Sequence, residues 1–338
     1  MREPAFWWRE AAIAARLLAP LAAVYGAVAG WRLGHSGACA SVPVVCIGNL
    51  TVGGAGKTPT ALAVARLLEA AGEQPAFLSR GYGGALAGPL LVDPARQGAV
   101  DVGDEPLLLA RVAPTIVARD RAMGARMAVA AGAGVIVMDD GFQNPSLAKD
   151  FSVLVVDARR GIGNGRVIPA GPLRAPLAAQ LARAHALIVI GKSAPGSDVV
   201  AQAKMLGIPV LSARLEPDAG FIAALGRGRV LAFAGIGDPE KLFATLADAG
   251  IAVAATRSFP DHHRYSAAEA RALCDEADRD GLVLVTTEKD LARLTGDNEV
   301  AGLAALAHAL PVTLALEDEA DFRTLLVQRI ARARQPTV

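Results

Sequence analysis

The chain has little of what staples, cages or coats a protein. Its 338 residues include three cysteines, Cys39, Cys46 and Cys274, with no C-x-x-C spacing. That argues against a disulfide framework or a cysteine zinc site and fits a reducing compartment. Charge of one sign is also missing, because 34 Lys+Arg against 33 Asp+Glu leave a net +1. Without a basic field, a general nucleic-acid binder is disfavoured. Charged residues are only 20% and hydrophobic ones 53%, which speaks against disorder and against a coiled coil. Repeats and low-complexity linkers are absent as well.

A membrane-spanning run is the next absence. A spanning helix needs about 20 consecutive apolar residues, and the uncharged stretch 17–31 is shorter and holds Pro20. What is there instead is distinctive. All three tryptophans, Trp7, Trp8 and Trp31, lie in this region, Arg16 and Arg32 bracket the stretch, and Arg2 and Arg9 precede it. Tryptophan and arginine at the ends of an apolar helix are interfacial anchors. The mean hydropathy of +0.36 points the same way. The expectation is a membrane-dipping helical segment over 1–35 that lies in the interface without crossing it. Two rivals are a secretory signal ending at Ala38-Cys39-Ala40 and an Ala-rich helix packed on the core. A nucleotide motif just downstream opposes the signal.

From residue 42 onward the pattern alternates. Short apolar, β-branched runs at 42–48, 75–79, 115–118, 135–138, 152–156 and 186–190 read as buried strands. Helical periodicity falls between several of them, at 60–71, 106–112 and 121–131. Strands alternating with helices mean an α/β fold with a parallel sheet flanked by helices. The chain turns loop-like near 219–228 and then restarts with strand candidates at 230–234, 252–255, 282–286 and 312–315. The expected organisation is a core domain over 36–227 and a smaller α/β domain over 228–338. The tail at 329–334 reads as a solvated helix end.

The most informative motif is the loop Thr51-Val52-Gly53-Gly54-Ala55-Gly56-Lys57-Thr58, set between a strand and a helix. Glycines there allow backbone N–H groups to cradle phosphate oxygens at a helix N-terminus. In such a P-loop Lys57 reaches the β- and γ-phosphates and Thr58 ligates Mg²⁺. Thr51 stands where the usual pattern has glycine, so the loop is a variant. Its partner is the strand ending in Asp139-Asp140, where a Mg²⁺-binding carboxylate belongs. A guanine reader of the form Asn-Lys-x-Asp is missing. Thr287-Glu288-Lys289-Asp290 has the wrong order, so ATP is expected rather than GTP.

Other constellations are weaker. Asp104, in Gly103-Asp104-Glu105-Pro106, is either a helix N-cap or a general base, and spacing alone favours the cap. Asp261-His262-His263 holds two of only five histidines. Spacing alone leaves that group as an ordinary loop more often than a catalytic pair. The segments 80–83, 161–165 and 169–174 are flexible or rigid loops at strand ends, suited to substrate contact or to plain turns.

Taken in order, these motifs resemble the tetraacyldisaccharide 4′-kinase family of lipid A biosynthesis. The matching residues are Gly48-Asn49, the loop 53–59, Arg80-Gly-Tyr-Gly83, Gly103 to Pro106, and Asp139-Asp-Gly-Phe-Gln143. Asp157, Gly163-Asn-Gly165, Pro169 to Arg174, Asp261-His262 and Thr287 to Asp290 continue the series. The resemblance implies ATP- and Mg²⁺-dependent phosphorylation of the 4′-hydroxyl of a lipid A disaccharide 1-phosphate to give lipid IVA. It also implies attachment to the cytoplasmic face of the bacterial inner membrane. It makes Asp104 the base that accepts the hydroxyl proton, paired with His262, and places Asp139 and Asp140 near the metal. It suggests substrate contacts for Arg80, Tyr82, Gln143, Asn164 and Arg174. The family commonly has His where this chain has Asn144, and often Glu where it has Ala175. The alternative reading is a membrane-recruited P-loop ATPase switch that has no small-molecule acceptor.

Overall fold

The computed structural model describes residues 3–9, 13–191, 198–226 and 228–335; Arg2, expected as an anchor, lies outside them. Nine strands form one sheet in the spatial order Val312–Leu316, Val210–Pro217, Ala186–Ile190, Phe151–Asp157, Val44–Asn49, Val135–Asp139, Pro75–Ser79, Thr115–Val117, Leu90–Leu91. The pairing is parallel except at the two edges, where Val312–Leu316 and Leu90–Leu91 run antiparallel to their neighbours. The central strands are buried along their whole length, as a sheet covered on both faces requires. One face packs against the helices Lys57–Ala70 and Glu319–Ala333 through Ala61, Leu68, Phe322 and Leu326. The other packs against Arg121–Ala130 through Ala125 and Ala128.

A second sheet of four parallel strands runs Ala252–Ser258, Arg229–Ala234, Val283–Thr287, His308–Leu310. It has its own apolar cores around Phe233 and Leu273, and around Leu246 and Val230. The expected smaller domain over 228–338 is corrected at its end. Strand Val312–Leu316 pairs with Val210–Pro217 of the large sheet, and the last helix buries Phe322, Leu326 and Ile330 against the large core. An apolar run is compatible with either sheet edge, and the preceding strand leaves this one beside the larger.

The expected loop near 219–228 contains a helix, Ala219–Leu225. Asp218 caps it by accepting the Phe221 N–H at 2.7 Å, and Gly226 ends it at a φ of 54°. The tail expected as a solvated helix end is exposed over 331–335, while helix Glu319–Ala333 packs Phe322, Leu326 and Ile330 inward.

At the N-terminus, Ile13–Leu17 and Ala19–Leu33 form a helical segment with Pro20 in its first turn, where a missing N–H costs nothing. Ala15, Ala22 and Gly26 face inward. A Cβ at Gly26 would stand 3.6 Å from both Pro176 and Val167. Ile13, Leu17, Leu21, Val24, Val28 and Trp31 are 52–76% exposed. Their spacing of three and four residues puts them on one stripe. Among the described residues no helix is long and apolar enough to cross a membrane.

Candidate active site

Strand Val44–Asn49 lies between Val135–Asp139 and Phe151–Asp157, so its carboxyl end opens at the crevice where an α/β sheet takes its ligand. The phosphate loop begins there. Gly53 and Gly56 adopt φ of 96° and 93°, which side-chain-bearing residues rarely tolerate. Asn49 holds the loop from inside by donating to the Gly53 carbonyl at 3.2 Å. From outside, Val52 N–H donates to Pro172 O at 2.9 Å and Arg174 Nε donates to Thr51 O at 3.0 Å. The loop from Thr51 to Gly56, expected as the phosphate cradle, is thus held from both sides at the end of this strand. Lys57 and Thr58 open the following helix, both buried. Burial pushes the Lys57 ammonium down in pKa, against the opposing pull of Asp140 3.7 Å away.

The two adjacent aspartates part company. Asp139 is 1% exposed and neither of its carboxylate oxygens has a hydrogen-bond partner. Burial, with Glu105 and Asp140 adding like charge, pushes it up to about 7. A buried, unpartnered carboxylate ending the strand beside Val44–Asn49 is a donor of the kind a Mg²⁺ ion takes. Among the described residues no three acidic, histidine or cysteine side chains gather as a closed cage. Mg²⁺ in nucleotide sites is held in that open way, by one or two carboxylates plus phosphates. Asp140, expected beside the metal too, is instead gripped by Arg174 at 2.9 and 3.3 Å. Burial opposes its charge, but Lys57 and Arg174 hold its pKa down to about 2. Its backbone sits at φ 53°, the bend that turns neighbouring carboxylates in different directions.

Across the cleft, Asp104 opens the helix Asp104–Leu109 and is 2% exposed. Its Oδ1 accepts the Glu105 N–H at 2.9 Å, and its Oδ2 takes Arg293 and lies 3.3 Å from His262 Nδ1. Burial would raise this carboxyl, yet the His262 hydrogen bond and the Lys289 and Arg293 charges outweigh it and hold it well below the usual range. The bond to Asp104 raises His262, against partial burial. His262 stands at φ 55°, and its ring lies 4.9 Å from that of Tyr82. Tyr82, Gly103, Asp104, His262, Arg264 and Arg293 line a cleft of about 120 Å³.

Lys289 and Arg293 stand one helical turn apart on Glu288–Leu294, and Arg293, with Arg264, lines this cleft. Lys289 pairs with Glu105 at 2.5 Å and also feels the charges of Asp104 and Asp139. Sequence reading missed Glu105 and Arg293 and saw Lys289 only inside a motif of the wrong order. The available signal was the i, i+4 spacing of two cations behind the Thr287 cap.

Three of the expected substrate contacts have partners within the protein. Gln143 donates to Asn49 O at 2.9 Å and Gln180 Oε1 at 3.1 Å. Asn164 donates to Ala170 O at 2.9 Å. Arg174 is bound to Thr51 and Asp140. Their polar atoms hold the loops around the phosphate loop. Arg80 and Tyr82 remain exposed. Asn144 accepts from Ser146 N–H at 2.8 Å in a local turn, and the Ala175 carbonyl accepts from Gln180 at 2.7 Å.

The His262 shift has a testable sign. Its pKa is raised on folding, so the pair contributes stability below about 6.5, and that stability is lost as pH rises through the folded value. The loss in denaturant midpoint on His262→Gln is therefore expected to be larger at pH 6 than at pH 9. Equal losses in urea titrations at both pH values would contradict the ion pair.

A phosphate loop at the sheet's crevice, a buried free carboxylate and a facing carboxylate–imidazole pair define a P-loop phosphotransferase. Comparison with known proteins narrows this. The family model for tetraacyldisaccharide-1-P 4′-kinase (LpxK) matches residues 14–331. The tetraacyldisaccharide 4′-kinase of Rhodopseudomonas palustris (strain BisA53) is 57% identical over 334 residues, 99% of this chain and 97% of that one. That of Nitrobacter hamburgensis is 56% identical over 335 residues, 99% and 100%. A crystal structure of "apo" form LpxK from Aquifex aeolicus in complex with ATP has a TM-score of 0.73 at 28% identity, covering 94% of this chain and 99% of that one. The chain belongs to the tetraacyldisaccharide-1-P 4′-kinase family.

Proposed function

We propose that this chain phosphorylates the 4′-hydroxyl of tetraacyldisaccharide 1-phosphate with ATP, working at the cytoplasmic surface of the bacterial inner membrane. The carrying observation is the Asp104–His262 pair, set in a cleft that Arg264 and Arg293 also line, with Lys289 paired to the adjacent Glu105. Bound ATP and Mg²⁺ supply the transferable phosphoryl group and neutralise its charge. The loop 51–56 and Lys57 bind the phosphates, and Asp139 with Thr58 would hold the metal. Asp104 orients the acceptor hydroxyl and takes its proton at Oδ2, and His262 Nδ1 stabilises that oxygen. A carboxylate of low pKa suffices, because a loose phosphoryl-transfer transition state asks for little help from a base. Alignment does most of the work.

The exposed stripe Ile13 to Trp31 supports the membrane part of this reading. Each apolar side chain fully buried contributes about 1.5–3 kcal/mol, and Trp31 and Arg32 stand at the stripe's end as anchors. An acylated sugar stays in the bilayer, so its kinase must meet it there. The triple variant Leu21→Gln, Val24→Gln, Val28→Gln is expected to lose flotation with phospholipid vesicles by about 10-fold or more, a tenfold change being 1.4 kcal/mol, and to keep its affinity for ATP. Unchanged flotation would rule the stripe out as the docking face. A switch ATPase would instead hydrolyse ATP without any acceptor. Phosphate release measured with and without the acylated disaccharide separates the two, and the kinase reading requires acceptor dependence.

A further inference from the structure

We propose that Arg293 is a positioning residue for phosphoryl transfer, fixing Asp104 and His262 relative to each other across the cleft; this rests on Asp104 being the proton acceptor. Arg293 belongs to a helix that packs Leu294 into the small-sheet core and Ala292 against Leu107 and Leu108, and Asp104 opens the helix carrying those two leucines. Its guanidinium spans three acceptors: Asp104 Oδ2, the Gly235 carbonyl at 2.8 Å and Asp290 Oδ1 at 2.5 Å. The Gly235 carbonyl also accepts the backbone N–H of His262 at 3.0 Å. One planar fork therefore bonds the base directly and shares an acceptor with the base's histidine partner.

The far end of the fork is anchored. Asp290 is fully buried and also accepts from Gly235 N–H at 2.9 Å, Tyr265 hydroxyl at 2.7 Å and Thr287 hydroxyl at 2.5 Å. Tyr265 closes the loop that carries His262, whose positive φ persists only where the surroundings over-determine it. The chain Tyr265–Asp290–Arg293–Asp104–His262 supplies that determination. A purely structural arginine would be satisfied by Asp290 and Gly235, and the third contact, across to Asp104, is the one aimed at chemistry.

Arg293→Ala would strand two buried carboxylates and endanger folding. Arg293→Lys keeps the charge but cannot span three acceptors with one ammonium, so it is the variant of choice. Single-turnover phosphoryl transfer is read over hours for wild type, Arg293→Lys, Asp104→Asn and the double variant, each full length, with melting temperature and ATP affinity measured alongside. Arg293→Lys is expected to lower the transfer rate about 100-fold, the size of an ångström-scale misplacement, with ATP affinity within about twofold. In the Asp104→Asn background the same change is expected to cost less than about threefold, because interactions acting through one group are non-additive. An equal loss in both backgrounds, or a wild-type rate in Arg293→Lys, would overturn the proposal. Failure of the base reading looks different, since Asp104→Asn alone would then transfer at the wild-type rate.

Discussion

Replacing Asp104 by asparagine is expected to reduce phosphoryl transfer several hundredfold or more, about 3–4 kcal/mol of barrier. The side chain keeps its shape and can still accept from Arg293, so the loss isolates the carboxylate's charge and its capacity to take a proton. General-base assistance is worth about 10²–10⁴ in rate, and loss of alignment adds to it. Nothing about Asp104 touches the phosphate loop, so affinity for ATP should stay close to wild type. Rapid-quench transfer to the acylated disaccharide, with nucleotide affinity measured separately, checks both halves. A loss confined to ATP affinity would mean that the carboxylate organises the nucleotide site rather than the acceptor.

Asp139→Ala is expected to cost about 1,000-fold in Mg²⁺-dependent transfer, roughly 4 kcal/mol, without lowering the melting temperature of the metal-free protein. The two expectations come from one fact. Both oxygens of this buried carboxylate are unpartnered, so its charge is a desolvation cost until a cation arrives. Removing it relieves that cost and removes the cation's ligand together. The matching change at Asp140 should act differently, because Asp140 is tied to Arg174 and Lys57, and losing these half-buried ion pairs lowers stability, by about 1 kcal/mol or more. Calorimetry in the presence of chelator, beside turnover with Mg²⁺, distinguishes the two aspartates. A melting temperature that falls as far for Asp139→Ala as for Asp140→Ala would show that Asp139 has a structural partner.

How much of this was legible in the sequence depended on whether the chemistry is local. The phosphate loop is contiguous, and its glycines and Lys57-Thr58 are needed in that order, so it could be read directly. Asp139 was legible because a carboxylate ending a buried strand has a fixed place in a parallel sheet. The separation of Asp139 from Asp140 was not, since it depends on Arg174 arriving from another loop and on a positive φ at Asp140. Asp104 and His262 were visible only as a cap and a loop, and the resemblance to a family, not their spacing, joined them. Gln143, Asn164 and Arg174 carry hydrogen-bonding groups on strand-end loops, as substrate contacts would. In the fold those groups are consumed by the loops themselves, which no local pattern announces. Glu105, Lys289 and Arg293 form their pairs between two sheets, so the sequence offered only a helical spacing of cations.

The most direct test is the identity of the product. Wild-type protein, ATP, Mg²⁺ and detergent-dispersed tetraacyldisaccharide 1-phosphate are incubated together, and the lipid is examined by ³¹P NMR and tandem mass spectrometry. The account predicts a second phosphomonoester, on the 4′-oxygen, formed as ADP is released. An unchanged lipid with ATP converted to ADP and free phosphate at the same rate with and without the acceptor would contradict it.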